Sequence, residues 1–249
     1  MNDHILTLAR EHAPCYLYEY DVMRRQVETL RRAFPRYDLL YSIKANPFPP
    51  VVRALAGLGL GADAASAPEV LLSRRCGMDR ADIFFSAAGK SDAALEAAWD
   101  EGEIIADSLG EVARIGALCE KKGQHRAIGV RMNPAFGMGG AAGGSSKFGI
   151  NEEDLPQLKA LLDTLPVTVE GIHVHLKSQN LDADVLGGCY RDSWALAKRV
   201  RDTLECGMRY VNFGSGVGVA YDEAFEQPLA LERLRTYTDA IAADNDATL

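Results

Sequence analysis

The amino-acid sequence predicts an α/β barrel, and three observations support this prediction. Strand-like apolar runs alternate with amphipathic helical segments, which is the pattern of a parallel sheet buried on both faces. Polar residues stand at the ends of successive runs, as they do on the catalytic face of a (β/α)8 barrel. The 249 residues, 47% of them hydrophobic, are enough for one sizeable core.

Seven runs are predicted to be strands, and they span residues 39–43, 60–64, 83–86, 103–106, 127–132, 169–176 and 210–213. The residues at or just after their ends are Lys44, Asp63, Ser86, Asp107, Arg131, His175 and Gly214. A closed (β/α)8 barrel and an open doubly wound sheet both fit the alternation. The polar ends favour the barrel, which is then one strand short.

Helix starts are marked directly after two of these strands. Ser66 with Glu69, and Ser108 with Glu111, form capping-box patterns. Between residues 182 and 206, apolar side chains recur at helical spacing while the charges fall mainly elsewhere. We therefore expect this stripe to pack on the core and not to bind a cofactor.

The composition argues against several classes of partner. Lysine and arginine number 27 against 35 acidic residues, and a net charge of −8 disfavours nucleic acid or an anionic membrane as the main partner. We find no membrane span and no signal-peptide pattern, and expect a cytoplasmic protein. The five cysteines have no CxxC pair or zinc-ligand spacing, so they are expected to be reduced, buried thiols.

A glycine-rich stretch, residues 137–144 followed by Ser145 and Ser146, comes after the fifth predicted strand. Its composition predicts a flexible loop. A mobile lid over the catalytic face and a plain surface excursion are both open at this point.

Lys44 is the first candidate for chemistry, because it follows an apolar strand that Pro47 ends. At the inner mouth of a barrel, loss of solvent would favour the free amine, the form that attacks an aldehyde. Position alone leaves a surface lysine equally open.

His173 and His175 are the second candidates. Residues two apart in a strand share a face, so both imidazoles could point into one cavity. They could bind zinc with Asp63 or Asp107 as a further ligand, but no third ligand is clearly placed. We assign no metal site.

The third candidate is the segment 212–218, Asn-Phe-Gly-Ser-Gly-Val-Gly, after the last predicted strand. Glycines let backbone amides approach a phosphate, and loops after strands seven and eight are the usual phosphate site of a barrel. A Rossmann-type dinucleotide-binding loop is the weaker interpretation of this segment, because that fingerprint normally belongs to a first βα unit and this segment comes last. An amine, two imidazoles and a phosphate cradle together describe a phosphorylated aldehyde as ligand.

These residues resemble the barrel domain of the fold-type III pyridoxal 5′-phosphate (PLP) decarboxylases, which include diaminopimelate, ornithine and arginine decarboxylases. The matching segments come in the family's order and extend over roughly residues 14–220. They are Tyr-Ser-Ile-Lys-Ala-Asn at 41–46, residues 63–69, residues 131–134 with 147–150, residues 171–179, and Gly-Ser-Gly at 214–216.

The resemblance implies an alanine-racemase-like (β/α)8 TIM barrel with PLP as cofactor. Lys44 would form the Schiff base and His175 would stack on the pyridine ring, which makes these two the implied catalytic residues. The implied cofactor-binding residues are Lys44, Asp63, Arg131, His175, Ser178, Gly214, Ser215 and Gly216. The implied reaction is decarboxylation of a basic or diamino acid, in which the cofactor takes up the electron pair. Lys147 would lie near a dimer interface.

Departures from the family pattern qualify this expectation. Lys177 replaces a usual glycine, Ser215 interrupts a glycine triplet, and Asn212 stands where aspartate is common, which suggests a relative in a specialised pathway. The eighth strand and the C-terminal β-domain are not found. We therefore expect residues 1–249 to form an incomplete PLP-binding barrel domain, poorly active alone, that works as a homodimer or with a complementing C-terminal chain.

Two rival functions remain beside the decarboxylase. One is a non-catalytic PLP-binding or regulatory homologue, and the other is an amino-acid racemase with a similar barrel. The Lys-Phe-Gly and His-Val-His patterns, with Ser178 and Gln179, favour the decarboxylase. The sequence does not name the amino acid that serves as substrate.

Overall fold

The computed structural model describes residues 3–144, 146–222, 224 and 226–248. The strands are β1 (Leu40–Ser42), β2 (Gly61–Ala64), β3 (Ile83–Phe85), β4 (Glu103–Ala106), β5 (Arg126–Asn133), β6 (Ile150–Asn151), β7 (Val167–Val174) and β8 (Tyr210–Asn212). The helices are α1 (Asp3–His12), α2 (Tyr20–Ala33), α3 (Pro49–Gly57), α4 (Ala67–Arg75), α5 (Asp92–Ala98), α6 (Leu109–Lys122), α7 (Leu155–Leu162), α8 (Ala183–Leu204) and α9 (Leu231–Thr248). All seven predicted runs form strands, with ends shifted by at most two residues.

The strands form one parallel sheet in the order β1-β2-β3-β4-β5-β7-β8. The short strand β6, which was not predicted, pairs with the end of β5 at Met132 and Asn133. Two residues are too few for a strand periodicity, and this explains the omission. Because the ladders are parallel, the carboxyl ends of all these strands lie at the same edge of the sheet.

The sheet is curled into an open barrel. Phe84 of β3 and Tyr210 of β8 are separated by three strands in the sheet order, yet their ring centroids are 5.0 Å apart. Tyr210 has room there because Gly129 of β5 and Gly171 of β7 have no side chain, and a Cβ at either would collide with its ring. This interior contact confirms the barrel prediction for the described residues.

The helix layer continues from the end of the chain to its beginning. Tyr37 Oη donates to the carbonyl oxygen of Thr238 at 2.7 Å, and Arg235 Nη1 donates to that of Arg32 at 3.2 Å. Buried residues of α2, α8 and α9 share one apolar cluster. Within the described residues, however, β1 and β8 do not pair with each other, so the strand layer stays open beneath these helices.

Both predicted capping boxes are confirmed. Ser66 Oγ accepts the Glu69 amide at 3.4 Å, and Ser108 Oγ accepts the Glu111 amide at 3.2 Å. The predicted stripe in α8 packs on the core, since Leu186, Tyr190, Ala197, Val200 and Leu204 are buried and the half-buried Trp194 packs against the same residues.

The glycine-rich stretch folds back on itself. The Gly137 amide donates to Ala141 and the Gly143 amide to Ala135, both at 2.7 Å. Met138 lies against Cys189 of α8, with 3.1 Å between their sulfur atoms. The stretch is therefore a docked turn, which does not support the expected flexible loop, and Ser145 lies outside the described residues.

The cysteine expectation is confirmed in part. All five thiols are free, and Cys76, Cys119 and Cys189 are buried. Cys206 is half-buried and Cys15 is exposed, so the expectation of burial was wrong for Cys15. No helix in the described part of the chain is both long and apolar enough to cross a membrane.

Candidate functional site

The residues predicted to carry chemistry lie at the carboxyl edge of the sheet. Lys44 lies in a single 3-10 turn after β1, Asp63 in β2, Arg131 in β5, His173 in β7, His175 and Ser178 just after β7, and residues 214–216 after β8. Lys44 is exposed, which agrees with the surface position that the sequence left open beside a buried one. Its position at the mouth of the open barrel is as predicted.

Asp63 is held in place by two serine hydroxyls. Ser42 Oγ of β1 donates to one carboxylate oxygen at 3.2 Å, and Ser86 Oγ after β3 donates to the other. These bonds connect the ends of three neighbouring strands. Sequence reasoning singled out Ser86 as a residue at a strand end but missed its role as a partner of Asp63.

His173 is a buried imidazole whose pKa is affected by several other residues of the site. Burial lowers the pKa of this imidazole to about 3; the Asp63 carboxylate opposes this shift, while Arg131, His175 and Lys44 reinforce it. Side chains from four strand ends therefore act on one ring. His173 is neutral near pH 7, and its Nδ1 is a buried atom with no partner among the described residues.

His175 has a defined tautomer because of its two contacts. Its Nδ1 lies 2.8 Å from the carbonyl oxygen of Gly214, which can only accept, so Nδ1 carries the hydrogen. In the neutral ring Nε2 is then an acceptor, and Ser178 Oγ lies 3.4 Å from it. The ring centroids of His173 and His175 are 6.4 Å apart. The two imidazoles thus belong to one cluster, as predicted.

The turn after β8 has a backbone that only glycine readily adopts. Gly214, Ser215 and Gly216 are left-handed in succession, with φ values of 63°, 55° and 86°. A Cβ on Gly214 would collide with the carbonyl oxygen of Val174, and one on Gly216 would lie 2.7 Å from that of Lys177. The turn is therefore pressed against the segment that follows β7.

Hydrogen bonds anchor the carbonyl side of this turn. Tyr190 Oη donates to the Ser215 carbonyl at 2.7 Å, and the Asn180 amide donates to that of Gly216 at 2.9 Å. The amides of Ser215 and Gly216, in contrast, donate to no acceptor in the described residues. Adjacent free amides in such a turn suit an anion, so the cradle fits a phosphate group.

Arg131 is placed by an acid and an aromatic ring. Its Nη1 lies 3.5 Å from Asp107 Oδ1, and its guanidinium lies 4.9 Å from the centre of the Phe148 ring. Lys147 Nζ approaches the same ring at 5.1 Å. Sequence reasoning missed the part that Phe148 plays. Position alone does not reveal it, since the ring comes from a different loop.

The described residues contain no group of three or more histidine, cysteine, aspartate or glutamate side chains suited to a metal ion. His173 and His175 thus have no third ligand in this part of the chain. The neutral His173, the free amides and the amine of Lys44 suit an organic phosphate better than a cation.

The chain is similar to known proteins over most of its length. Residues 20–247 match the model of the family described as pyridoxal-dependent decarboxylase, pyridoxal binding domain. The L-glutamyl-[BtrI acyl-carrier protein] decarboxylase of Niallia circulans is 30% identical over 246 residues, which cover 95% of this chain and 57% of that protein. The diaminopimelate decarboxylase of Aquifex aeolicus is 28% identical, covering 86% and 53%.

A solved structure gives the same result for the fold. A mutant of diaminopimelate decarboxylase from Helicobacter pylori, complexed with L-lysine, superposes with a TM-score of 0.83 at 25% identity and covers 96% of this chain and 62% of that one. The chain belongs to the pyridoxal-dependent decarboxylase family, whose cofactor is PLP, and corresponds to its pyridoxal-binding domain. It spans somewhat more than half the length of these curated relatives.

Proposed function

We propose that this chain binds PLP at the carboxyl edge of its open barrel and serves a decarboxylase of a basic or diamino acid. One observation carries the proposal. Lys44, Asp63, Arg131 and His175, which come from four strand ends, all lie near enough to the buried His173 to shift its pKa. The turn after β8, with its free amides, lies beside this cluster because His175 contacts Gly214.

Different residues of the site are proposed to bind different parts of the cofactor. Lys44 would supply the amine for the aldehyde, and His175 would offer its imidazole ring to the pyridine. Ser178, Ser215 and Gly216 would hold the phosphate, and Gly214 would shape the turn; the contact of Ser178 with His175 and the left-handed backbone of residues 214–216 support this assignment. Asp63 and Arg131 supply opposite charges near His173, which shift its pKa in opposite directions. When bound, the cofactor supplies the electron sink that loss of a carboxylate requires.

The substrate class follows from the relatives. Several act on diaminopimelate by their names, and one acts on a glutamyl group carried by a protein. We also propose that the enzyme is cytoplasmic. It would work as a homodimer or with a complementing chain. The site is open to water in this chain, since Lys44 is exposed.

Spectroscopy with borohydride trapping tests the cofactor assignment. The purified chain mixed with PLP should develop the visible absorbance of a lysine-bound pyridoxal, and reduction should attach the label to Lys44. The variant Lys44→Ala should lose both signals, while Lys121→Ala, on the far end of α6, should keep them. A label on another lysine, or none, would refute the assignment.

Product analysis separates the rival functions. Carbon dioxide released from lysine, ornithine, arginine or diaminopimelate above the Lys44→Ala background supports a decarboxylase. Interconversion of enantiomers without release would indicate a racemase. Because the isolated chain is expected to be poorly active, these assays include a complementing C-terminal chain. Cofactor binding with neither product under those conditions would indicate a binding or regulatory protein.

A further inference from the structure

Lys90 is a buried cation outside the set of residues assigned so far. Its side chain is 0% exposed, and it lies in the loop between β3 and α5. Nζ donates to the carbonyl oxygens of Ala87 and Ile105, both at 2.6 Å, and to Glu111 Oε1 at 2.7 Å. An ammonium group has three hydrogens, so every donor of Lys90 is used.

These three bonds join three separate elements. Ala87 follows β3, Ile105 lies in β4, and Glu111 lies in the first turn of α6. Burial lowers the pKa of Lys90, while the neighbouring Glu111 and Asp107 carboxylates oppose that shift. A buried ion pair is tolerated only when its geometry satisfies both partners, which is the case here.

A chain of contacts leads from Lys90 to the site. The second oxygen of Glu111 accepts the backbone amide of Asp107 at 3.3 Å. The carboxylate of Asp107 in turn lies 3.5 Å from Arg131, whose charge acts on His173. The backbone that carries Asp107 is thus fixed by a residue whose own position depends on Lys90.

We propose that Lys90 is a positioning residue of the cofactor site, acting through Glu111 and Asp107 on the guanidinium of Arg131. This rests on the proposed function, because Arg131 is assigned there to the cofactor. Lys90 is not a second reactive amine, since its donors are all occupied. Its removal should weaken cofactor binding beyond any effect on stability.

Three variants of the pair separate positioning from stability. Lys90→Met leaves Glu111 buried without a partner, so it should lower the melting temperature and weaken PLP binding. Lys90→Met with Glu111→Leu removes both charges and should recover the melting temperature, because an apolar pair can replace a buried ion pair. Lys90→Met with Glu111→Gln keeps an oxygen that can accept the Asp107 amide.

A matched control removes a buried cation at the other end of the sheet. Arg126, the first residue of β5, donates to the Gly102 carbonyl at 2.9 Å and lies 4.4 Å from the centre of the Trp99 ring. Arg126→Met should lower the melting temperature as well. It should leave the dissociation constant of PLP unchanged, since it does not touch the carboxyl edge.

The measurements are the melting temperature without cofactor and the PLP dissociation constant from the visible absorbance. We expect binding on the order of tenfold weaker in the Lys90→Met/Glu111→Leu double variant despite its recovered stability, and no recovery of binding in the Lys90→Met/Glu111→Gln double variant, because Lys90 no longer holds residue 111 in place. If affinity follows melting temperature in every variant, including Arg126→Met, Lys90 is merely structural and the proposal is overturned. If the parent chain itself shows no lysine-bound absorbance, the proposed function fails, and the inference fails with it.

Discussion

At the scale of single residues, the site depends on keeping an imidazole neutral. His173 lies in the interior of the barrel, its Nδ1 has no partner among the described residues, and burial outweighs the nearby Asp63 in setting its charge. A neutral ring adds no charge of its own beside Asp63, which the hydroxyls of Ser42 and Ser86 hold, and Arg131, which pairs with Asp107. The exposed Lys44, in contrast, has no such burial within this chain.

The burial of His173 predicts a pH dependence of stability. Its pKa is about 3 in the folded chain against the 6.5 of a free histidine, so between these values the unfolded state binds more protons. The free energy of unfolding should therefore fall as the pH drops below 6.5, by up to about 1.4 kcal/mol per pH unit from this group. Urea denaturation at several pH values measures the slope.

A pair of variants isolates this contribution. His173→Phe should flatten the slope between pH 6.5 and 4, while His125→Gln, at an exposed position after α6, should leave it as in the parent chain. If the free energy of unfolding changes with pH in the same way in the parent chain and in His173→Phe, the pKa of His173 is not lowered by folding and the prediction is wrong.

At the scale of elements, the turn after β8 shows how backbone conformation and packing combine. Three successive left-handed residues turn the carbonyls of Ser215 and Gly216 toward protein donors, and the two amides stay free. The strain at Ser215 is the cost of this arrangement, since a non-glycine residue seldom adopts it. Val174 and His175 lie so close to Gly214 that a Cβ at this position would collide with them.

A glycine comparison tests this explanation. Gly214 and Gly123 have nearly the same φ, 63° and 62°, but only at Gly123 does a Cβ meet open space. Gly123→Ala should cost about 1 kcal/mol of stability from backbone strain alone. Gly214→Ala should cost clearly more and also weaken PLP binding, as measured by chemical denaturation and absorbance. Equal costs at the two positions would contradict the packing argument.

At the scale of the whole molecule, the barrel is open. Helices α2 and α9 meet where Arg235 donates to the carbonyl oxygen of Arg32, but β1 and β8 stay unpaired with each other in the described chain. An open edge admits water to the site and exposes backbone groups that another strand could pair. The aromatic rings of Tyr16 and Tyr18, which precede β1, and of Phe48, which follows it, are also exposed.

The open barrel predicts weak catalysis by the isolated chain. Because electrostatic stabilisation needs a site shielded from water, carbon dioxide release by the purified 249-residue chain should be poor even when it binds PLP. Release assays on the fraction identified as monomer by sedimentation test this. Robust decarboxylation by that monomer would contradict the prediction.

Much of the framework could be predicted because it depends on neighbours in the chain. Strand runs follow from a period of two, and the starts of α4 and α6 follow from a serine and a glutamate three residues apart. Since parallel strands share one edge, residues at their ends, such as Lys44, Asp63 and His175, could be expected to gather. Motif order along the chain then identified the family.

What only the tertiary structure decided depends on residues far apart in the chain. The curl that brings Phe84 to Tyr210, the neutral state of His173 and the bonds of Lys90 are set by burial and by partners from other elements. No local pattern encodes these, because charge state and free amides depend on which groups the folded chain brings within a few ångströms. The sequence by itself determined the elements, the edge and the chemistry available there; the fold decided the state of each group.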